Sequence, residues 1–355
     1  MENWHMNKKI TTLLKMIVLA LGILAVCIAI SKKGIGKKGD TGVTYNDFAM
    51  GTSVSVTIHG SKESQKISDE IVLAANNLSN NLISWRESGS ELATLNTNYN
   101  AGEKYVLSDE LYKILQSSYD ICVSSKGALD ITVRPLANLW NIENASSEDF
   151  SIPPFEDIAD TRKLVGYDHI EFTDDGIIID QPDMILDLGA TGKGYALDLA
   201  RGILEGYDMD GAIVTMGGSV LIYGKKSDGS DWKVGIRNPQ GNEDDMIGYL
   251  CFEGKQNICI STSGDYEKYI DKDGYRYHHI FDAATGFPAE TGLSSVTVVC
   301  ENGLLSDGLS TACYVLGYDN SLPLLEQYGA DAVFVFRDNT TIVTEGLYDI
   351  YVKSE

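Results

Sequence analysis

The chain has little positive charge for its length. Its 355 residues include 28 Lys and Arg against 51 Asp and Glu, which gives a formal net charge of −23. Seven of the lysines lie in residues 1–40, so the rest of the chain is more acidic still, at −28. Nucleic-acid binding relies on Lys and Arg placed against phosphate. We therefore expect no nucleic-acid partner.

Cysteine is also scarce, and its spacing matches no common ligand pattern. Apart from Cys27, five cysteines are spread over residues 122–313 without a C-x-x-C pair. This spacing excludes the usual zinc sites, and an odd number does not indicate a disulfide framework. Cys259 and Cys300 lie in apolar runs, which predicts that they are small buried hydrophobic residues. With 43 % hydrophobic residues the chain can form a packed core, which excludes intrinsic disorder.

The first forty residues predict a targeting segment. Residues 16–30 carry no charge and are flanked by Lys15 and by Lys32-Lys33, a pattern typical of a signal peptide or an N-terminal membrane anchor. Residues 24–27 (LAVC) resemble a lipoprotein cleavage box. Lipid attachment at Cys27 and an uncleaved transmembrane anchor are therefore both open.

These patterns predict three parts of the chain. Residues 1–33 would be the signal peptide or membrane anchor, and residues 34–43 a flexible glycine-containing tether. Residues 44–355 show no internal linker or repeat, so we expect a single folded domain there. The anchor would hold this domain at the extracytoplasmic face of the cell membrane.

Hydrophobic periodicity in residues 44–355 predicts alternating strands and helices. Apolar residues at helical spacing predict helices over about 63–83, 108–127, 195–204 and 304–316. Strands are expected near residues 54–58, 170–173, 177–180, 185–188, 211–223, 231–237, 257–262, 275–281, 293–300, 331–336 and 340–344. Because hairpins join the strands and helices interrupt them unevenly, the pattern favours the α+β class over a doubly wound parallel sheet.

A glycine-rich turn between a predicted strand and a predicted helix is a candidate anion site. Residues 186–194 read LDLGATGKG. Glycines let backbone N–H groups approach a ligand, and the helix N-terminus and Lys193 add positive potential. The spacing fits neither a Walker A loop nor a G-x-G-x-x-G fingerprint. Taken alone, the motif indicates a ligand site about as often as a tight structural turn.

Two further motifs carry polar side chains. Asp307 and Thr311 are four residues apart in a predicted helix, so their oxygens share one face, and this pair suits Mg²⁺. Taken alone, the pair is explained more often by helix capping by the Asp and a hydroxyl bond to the helix backbone, by about two to one. In the turn-forming stretch 278–288, His279 could act as a general base, although a lone histidine is more often structural.

Taken in order, these motifs resemble one family, the ApbE-type FAD:protein FMN transferases. The resemblance covers nearly all of residues 45–345, through the stretches 50–52, 84–96, 127–140, 187–194, 217–218, 260–266, 279–288 and 306–312. It implies a single ApbE-like, T-fold-related α+β domain of mostly antiparallel strands with flanking helices.

The resemblance also implies roles for individual residues. FAD would contact Met50, Trp85, Ala128, Leu129, Asp130, Asp187, Lys193, His279 and Ile280. The metal, Mg²⁺ with Mn²⁺ as an alternative, would be held by the carbonyl of Ala190 and the side chains of Asp307 and Thr311. The catalytic residues would be His279, Asp187 and Asp307. Four positions depart from the family pattern: Trp85 replaces a Tyr, Leu129 a Phe, Phe281 an aliphatic residue and Gly308 an Ala.

The implied reaction is Mg²⁺-dependent transfer of FMN from FAD to a Thr or Ser hydroxyl of an acceptor protein, with release of AMP. The acceptor would be an extracytoplasmic protein with a D-x-x-[ST]-G-A-[ST]-like motif. Two alternatives stay open: an Mg²⁺-dependent FAD pyrophosphatase that gives FMN and AMP, and a non-catalytic FAD-binding protein. The joint presence of Asp187, His279, Asp307 and Thr311 favours an enzyme, since a carrier needs no metal at the pyrophosphate.

Overall fold

The computed structural model describes residues 42–242 and 244–354. Its strands are β1 (Val43–Ala49), β2 (Thr52–His59), β3 (Lys104–Val106), β4 (Ile170–Phe172), β5 (Gly176–Ile179), β6 (Gly211–Met216), β7 (Ser219–Gly224), β8 (Trp232–Arg237), β9 (Met246–Phe252), β10 (Gln256–Gly264), β11 (Tyr269–Lys272), β12 (Tyr275–His278), β13 (Phe281–Asp282), β14 (Phe287–Pro288), β15 (Leu293–Cys300), β16 (Asp331–Phe336), β17 (Thr341–Val343) and β18 (Tyr351–Lys353). Its helices are α1 (Ser64–Asn77), α2 (Glu91–Asn98), α3 (Asp109–Ser124), α4 (Arg134–Trp140), α5 (Phe155–Arg162), α6 (Gly192–Glu205) and α7 (Gly303–Tyr328).

The predicted N-terminal anchor (residues 1–33) and most of the predicted tether (34–43) lie outside the described residues. Within residues 42–242 and 244–354, no helix combines the length and the apolar character needed to span a membrane.

An eight-stranded antiparallel sheet forms the centre of the fold, in the order β1-β2-β6-β7-β10-β15-β16-β17. Successive residues of a strand face opposite sides, and both sides of this sheet are covered. Val298 faces a core shared with α1, α3, α6 and α7, whereas Val299 faces a second core beneath the small sheet β18-β9-β8. All eight residues of β15 are consequently buried. The predicted α+β class, with antiparallel strands and flanking helices, is confirmed.

Helices α6 and α7 cross at two glycines. A Cβ on Gly194 would collide with the carbonyl oxygen of Gly303 and lie 2.7 Å from Cβ of Asp307. A Cβ on Gly303 would in turn collide with the carbonyl oxygen of Gly194. Asp198 of α6 then caps α7, because its carboxylate accepts hydrogen bonds from the N–H groups of Gly303 (2.8 Å) and Leu304 (2.9 Å). The two helix N-termini are thus held in backbone contact.

The prediction of a strand at residues 185–188 is wrong. This segment is buried and irregular, and side chains take the place of a neighbouring strand. Asn96 binds both backbone groups of Leu186, at 2.8 and 2.9 Å, and the Tyr99 hydroxyl accepts from the N–H of Met184 at 2.7 Å. Backbone hydrogen bonding is therefore satisfied without sheet pairing.

Three other boundaries also differ from the prediction. The first helix changes to a π-helical turn at Leu78–Ile83, and residues 211–223 form a hairpin with its turn at Gly217-Gly218. Helix α7 continues to Tyr328 past a break at Gly317, whose φ of 74° interrupts the helical backbone.

Cys259 and Cys300, predicted to be buried, are buried free thiols and face each other across β10 and β15.

Two glycines of α6 should respond oppositely to alanine. Gly194→Ala should lower the free energy of unfolding by about 1–3 kcal/mol or more, because the added methyl group has no room against the Gly303 backbone. Gly202→Ala, where no atom lies within 4 Å of the new Cβ, should raise it by about 0.5–1 kcal/mol. Urea unfolding of both variants measures the difference. Equal effects at the two positions would contradict the glycine crossing.

Candidate active site

The α6–α7 crossing fixes the carboxylate of Asp307. The side chain is 3 % exposed, and its Oδ2 accepts a hydrogen bond from the N–H of Gly194 at 2.9 Å. Its Oδ1 accepts from the Ser219 hydroxyl at 3.2 Å and lies 3.6 Å from Nζ of Lys193. Lys193 also donates to the carbonyl oxygen of Gly189 at 3.3 Å. The glycine-rich turn and Asp307, which are 113 residues apart, therefore form one polar site.

Hydroxyl groups join α7 to strand β10 next to Asp307. The Ser263 hydroxyl lies 3.0 Å from that of Thr311 and 2.7 Å from that of Ser310. One turn earlier, the hydroxyls of Ser261 and Ser306 lie 2.8 Å apart. These contacts fix the face of α7 that carries Asp307 and Thr311, as the spacing of the two residues predicted.

The donor chemistry of this site fits Mg²⁺. In the described part of the chain, no three His, Cys, Asp or Glu side chains converge as a metal cluster. The oxygens that the family resemblance assigns to the metal are one carboxylate (Asp307), one hydroxyl (Thr311) and the backbone carbonyl of Ala190 in the turn that precedes α6. Few, hard, oxygen-only ligands suit a Mg²⁺ ion that keeps several waters or binds substrate phosphates.

Asp187 is held by the backbone and by an arginine. Its N–H donates to the carbonyl oxygen of Ile131 at 2.7 Å, and its Oδ1 accepts from the N–H of Gly189 at 2.7 Å. Its Oδ2 lies 3.4 Å from Nη1 of Arg134. The carboxylate thus shapes the glycine-rich turn on one side and pairs with a cation on the other.

The turn at residues 128–130 is stabilised by Asp130. Oδ1 of this carboxylate accepts from the N–H and hydroxyl of Thr132, at 2.9 and 2.6 Å, and Oδ2 accepts from the N–H of Tyr167 at 3.1 Å. Burial raises the pKa of Asp130, against the effect of these hydrogen bonds. Leu129 is 2 % exposed, and a Cβ on Gly308 would lie 3.5 Å from its Cδ2. Ala128, which is only partly buried, is the more accessible member of this turn.

Two of the residues expected to contact FAD, Met50 and Trp85, lie beside this site. Met50 has a φ of 54° in the turn between β1 and β2, and its Cε is 3.6 Å from where a Cβ on Gly192 would be, at the start of α6. The ring of Trp85 lies 3.6 Å from the guanidinium carbon of Arg134 and 4.4 Å from that of Arg86. Trp85 is therefore part of a cation–π cluster with two arginines.

His278 and His279 are neighbours with different hydrogen bonding. A carbonyl oxygen can only accept, so His278 carries its proton on Nε2, which donates to Ala289 at 3.0 Å, while its Nδ1 accepts from the N–H of Ile280. His279 carries its proton on Nδ1, which donates to the carbonyl oxygen of Lys268 at 3.2 Å. His278 is thus satisfied inside the protein, whereas Nε2 of His279 keeps a lone pair for chemistry.

Comparison with known proteins identifies the family. The ApbE family model matches residues 50–334. The chain belongs to the ApbE family. This confirms the resemblance seen in the sequence motifs.

Named relatives and solved structures agree with this membership. The FAD:protein FMN transferase of Treponema pallidum is 32 % identical over 300 residues, which cover 79 % of this chain and 77 % of that protein. The FAD:protein FMN transferase of Escherichia coli K12 is 30 % identical, over 67 % and 68 % of the two chains. The crystal structure of the ApbE protein of Thermotoga maritima is similar with a TM-score of 0.78 at 31 % identity, and covers 88 % of this chain and 100 % of its own. The flavinyl transferase ApbE of Pseudomonas stutzeri gives 0.75 at 28 % identity, with 90 % and 100 % covered.

Several residues of this ApbE-family site were not predicted from the sequence. Arg134 and Glu143 pair with residues far away in the chain, and Ser219 and Ser263 act through hydroxyl contacts. One signal was available for Arg134, since it is the single charge in the apolar stretch Ile131–Leu136. Ser219 follows the stretch 217–218 and Ser263 lies in the stretch 260–266, both part of the family resemblance, but no local pattern indicated the partners of these serines.

The buried His278 should make stability depend on pH. Burial lowers its pKa to about 4, below the 6.5 of a free histidine, so the folded chain holds it neutral while the unfolded chain protonates it. Its contribution is therefore complete above pH 6.5 and is lost as the pH falls toward 4, by up to about 1.4 kcal/mol per pH unit. Urea unfolding between pH 7 and 5 should show a flatter slope for His278→Gln than for the unsubstituted chain. Identical slopes would contradict a neutral buried His278.

Proposed function

We propose that this chain transfers FMN from FAD to a Thr or Ser hydroxyl of an acceptor protein and releases AMP. The observation that carries the proposal is the contact between the glycine-rich turn and Asp307, made within a chain of the ApbE family. The relatives named FAD:protein FMN transferase, at up to 32 % identity, support this reaction.

The N-terminus of α6 would bind the pyrophosphate of FAD. Gly192 and Lys193 begin this 14-residue helix, so the helix dipole and the Lys193 ammonium supply positive potential, although the N–H groups of Gly192 and Gly194 already donate to Leu188 and Asp307. An anion here would also attract Lys193 away from Asp307 Oδ1, which is 3.6 Å away. Mg²⁺, held by Asp307, Thr311 and the Ala190 carbonyl, would offset negative charge on the pyrophosphate.

His279 would act as the general base. Burial, aided by the charge of Lys268, lowers its pKa to about 4, so the imidazole is neutral near pH 7 and Nε2 can accept a proton. The acceptor hydroxyl loses its proton to Nε2, and its oxygen bonds to the FMN phosphorus. The bond from that phosphorus to the bridging oxygen breaks, and AMP leaves with the electron pair. Asp187 is paired with Arg134, so we assign the base role to His279 alone.

The remaining proposals concern the metal, the acceptor and the location. We take Mg²⁺ as the metal, with Mn²⁺ as the alternative. The acceptor would be an extracytoplasmic protein with a D-x-x-[ST]-G-A-[ST]-like motif. The apolar, Lys-flanked residues 16–30 support attachment to the cell membrane, through lipid at Cys27 or a transmembrane anchor.

Asp307→Asn should lower the rate of FMN transfer at least about 100-fold, because it weakens the metal site. The full chain is incubated with FAD, Mg²⁺ and an FMN-binding domain that bears the acceptor motif, and the intact mass of the acceptor is recorded. Asp319→Asn changes an exposed carboxylate of the same helix and should leave the rate unchanged. EDTA should abolish the FMN increment in the unsubstituted chain.

Two results of this experiment would overturn the proposed transfer. Free FMN and AMP beside an unmodified acceptor would identify a pyrophosphatase, with water in place of the hydroxyl. FAD binding without any product would identify a flavin carrier.

A further inference from the structure

Arg134 is a buried cation that the proposed reaction has not yet used. It is the first residue of α4 and is only 4 % exposed. A buried guanidinium is costly unless several partners receive its hydrogen bonds and charge. Its Nε donates to Oδ1 of Asn138 at 2.8 Å, one turn along the same helix. Its Nη1 lies 3.4 Å from Oδ2 of Asp187 and 3.7 Å from Oε2 of Glu143.

The same guanidinium stacks on Trp85, with 3.6 Å between its central carbon and the ring centroid. Arginine can stack on an aromatic face and pair with carboxylates at once, because its donors lie at the edge of a flat group. Trp85 and Asp187 both lie in segments without regular secondary structure. Arg134, by contrast, belongs to a helix. One helical side chain therefore holds two irregular segments of the site in a fixed relation.

We propose that Arg134 is a positioning residue of the FAD site, which sets the orientation of Trp85 and Asp187 for the flavin nucleotide. This inference rests on the proposed function, because both partners are there assigned to FAD. Arg134 itself need not touch FAD, since it is 4 % exposed and one of its faces, its Nε and its Nη1 already contact protein groups.

Glu143 extends this arrangement toward His279. It pairs with Arg86 and accepts a hydrogen bond from Nζ of Lys268 at 2.8 Å, in addition to its contact with Arg134. Burial acts to raise the pKa of Glu143, but the hydrogen bond and charge of Lys268 and the two arginines hold it below its ordinary value. The carbonyl oxygen of Lys268 in turn accepts a hydrogen bond from Nδ1–H of His279. The Arg134–Glu143 pair thus links the Trp85 and Asp187 segments to the base.

A double-mutant cycle on FAD affinity tests the inference. Arg134→Lys keeps a positive charge but loses the planar stack and fork, and should raise the Kd for FAD about tenfold. Asp187→Asn should raise it as well. If Arg134 acts by positioning Asp187, the double variant should bind FAD no more weakly than the weaker single variant. The Kd is measured on the purified full chain by quenching of flavin fluorescence, in EDTA, so that the metal does not contribute.

Two controls separate positioning from general damage. Lys233→Met removes a cation–π contact with Tyr249 in the small sheet and should leave the Kd unchanged. Urea unfolding of each variant shows whether affinity simply follows stability.

The possible failures are distinguishable. If the unsubstituted chain binds FAD neither in EDTA nor with Mg²⁺ added, the proposed function fails. If it binds FAD but the effects of Arg134→Lys and Asp187→Asn on the Kd are fully additive, or if affinity follows stability across all variants, the positioning role of Arg134 is wrong while the proposed function stands.

Discussion

The backbone contact between Gly194 and Gly303 is the constraint on which the site depends. It brings the N–H of Gly194 to the carboxylate of Asp307 and lets Asp198 cap the helix that carries Asp307. Any side chain at either glycine would separate the two helix N-termini, and with them the glycine-rich turn and the face of α7 that carries Asp307. The chemistry of the site is thus set by a steric requirement at residues that have no side chain.

The central sheet supplies the rigidity behind this crossing. Because both of its faces are covered, β10 and β15 are fixed by two cores at once, and the serines of β10 can bind α7 at defined positions. A third, smaller cluster around Trp140 holds the segment after His279, since the Trp140 indole donates to the carbonyl of Gly286. Trp140 ends the same short helix that Arg134 begins. Helix α4 therefore relates the segments of Trp85 and Asp187 to the segment that follows His279.

Most of the fold followed from local pattern, because hydrophobic periodicity reports which face of a helix or strand is buried. Val54, Val56 and Ile58 alternate along a real strand, and Ser108 caps a real helix through the N–H of Leu111. The segment at 185–188 misled the prediction because it is apolar like a strand, whereas its hydrogen-bond partners, Asn96 and Ile131, lie far away in the chain. The candidate site shows the same contrast between residues recognised from local pattern and residues whose partners lie far away in the chain. The spacing of Asp307 and Thr311 predicted that they share a helix, and α7 carries both, whereas Arg134 and Ser219 acquire their meaning from partners 53 and 88 residues away.

The two adjacent histidines show why such partners decide function. In the sequence His278 and His279 are equivalent candidates, and both have a pKa lowered by burial. What distinguishes them is which ring nitrogen meets a carbonyl oxygen. The carbonyl oxygen of Ala289 accepts a hydrogen bond from Nε2–H of His278, and that of Lys268 accepts one from Nδ1–H of His279. Lys268 is itself held in place because its side-chain ammonium pairs with Glu143. Glu143 also contacts Arg134. The availability of Nε2 of His279 therefore depends on the same charge cluster that contacts Asp187, so the proposed nucleotide binding and the proposed proton transfer would share one structural support.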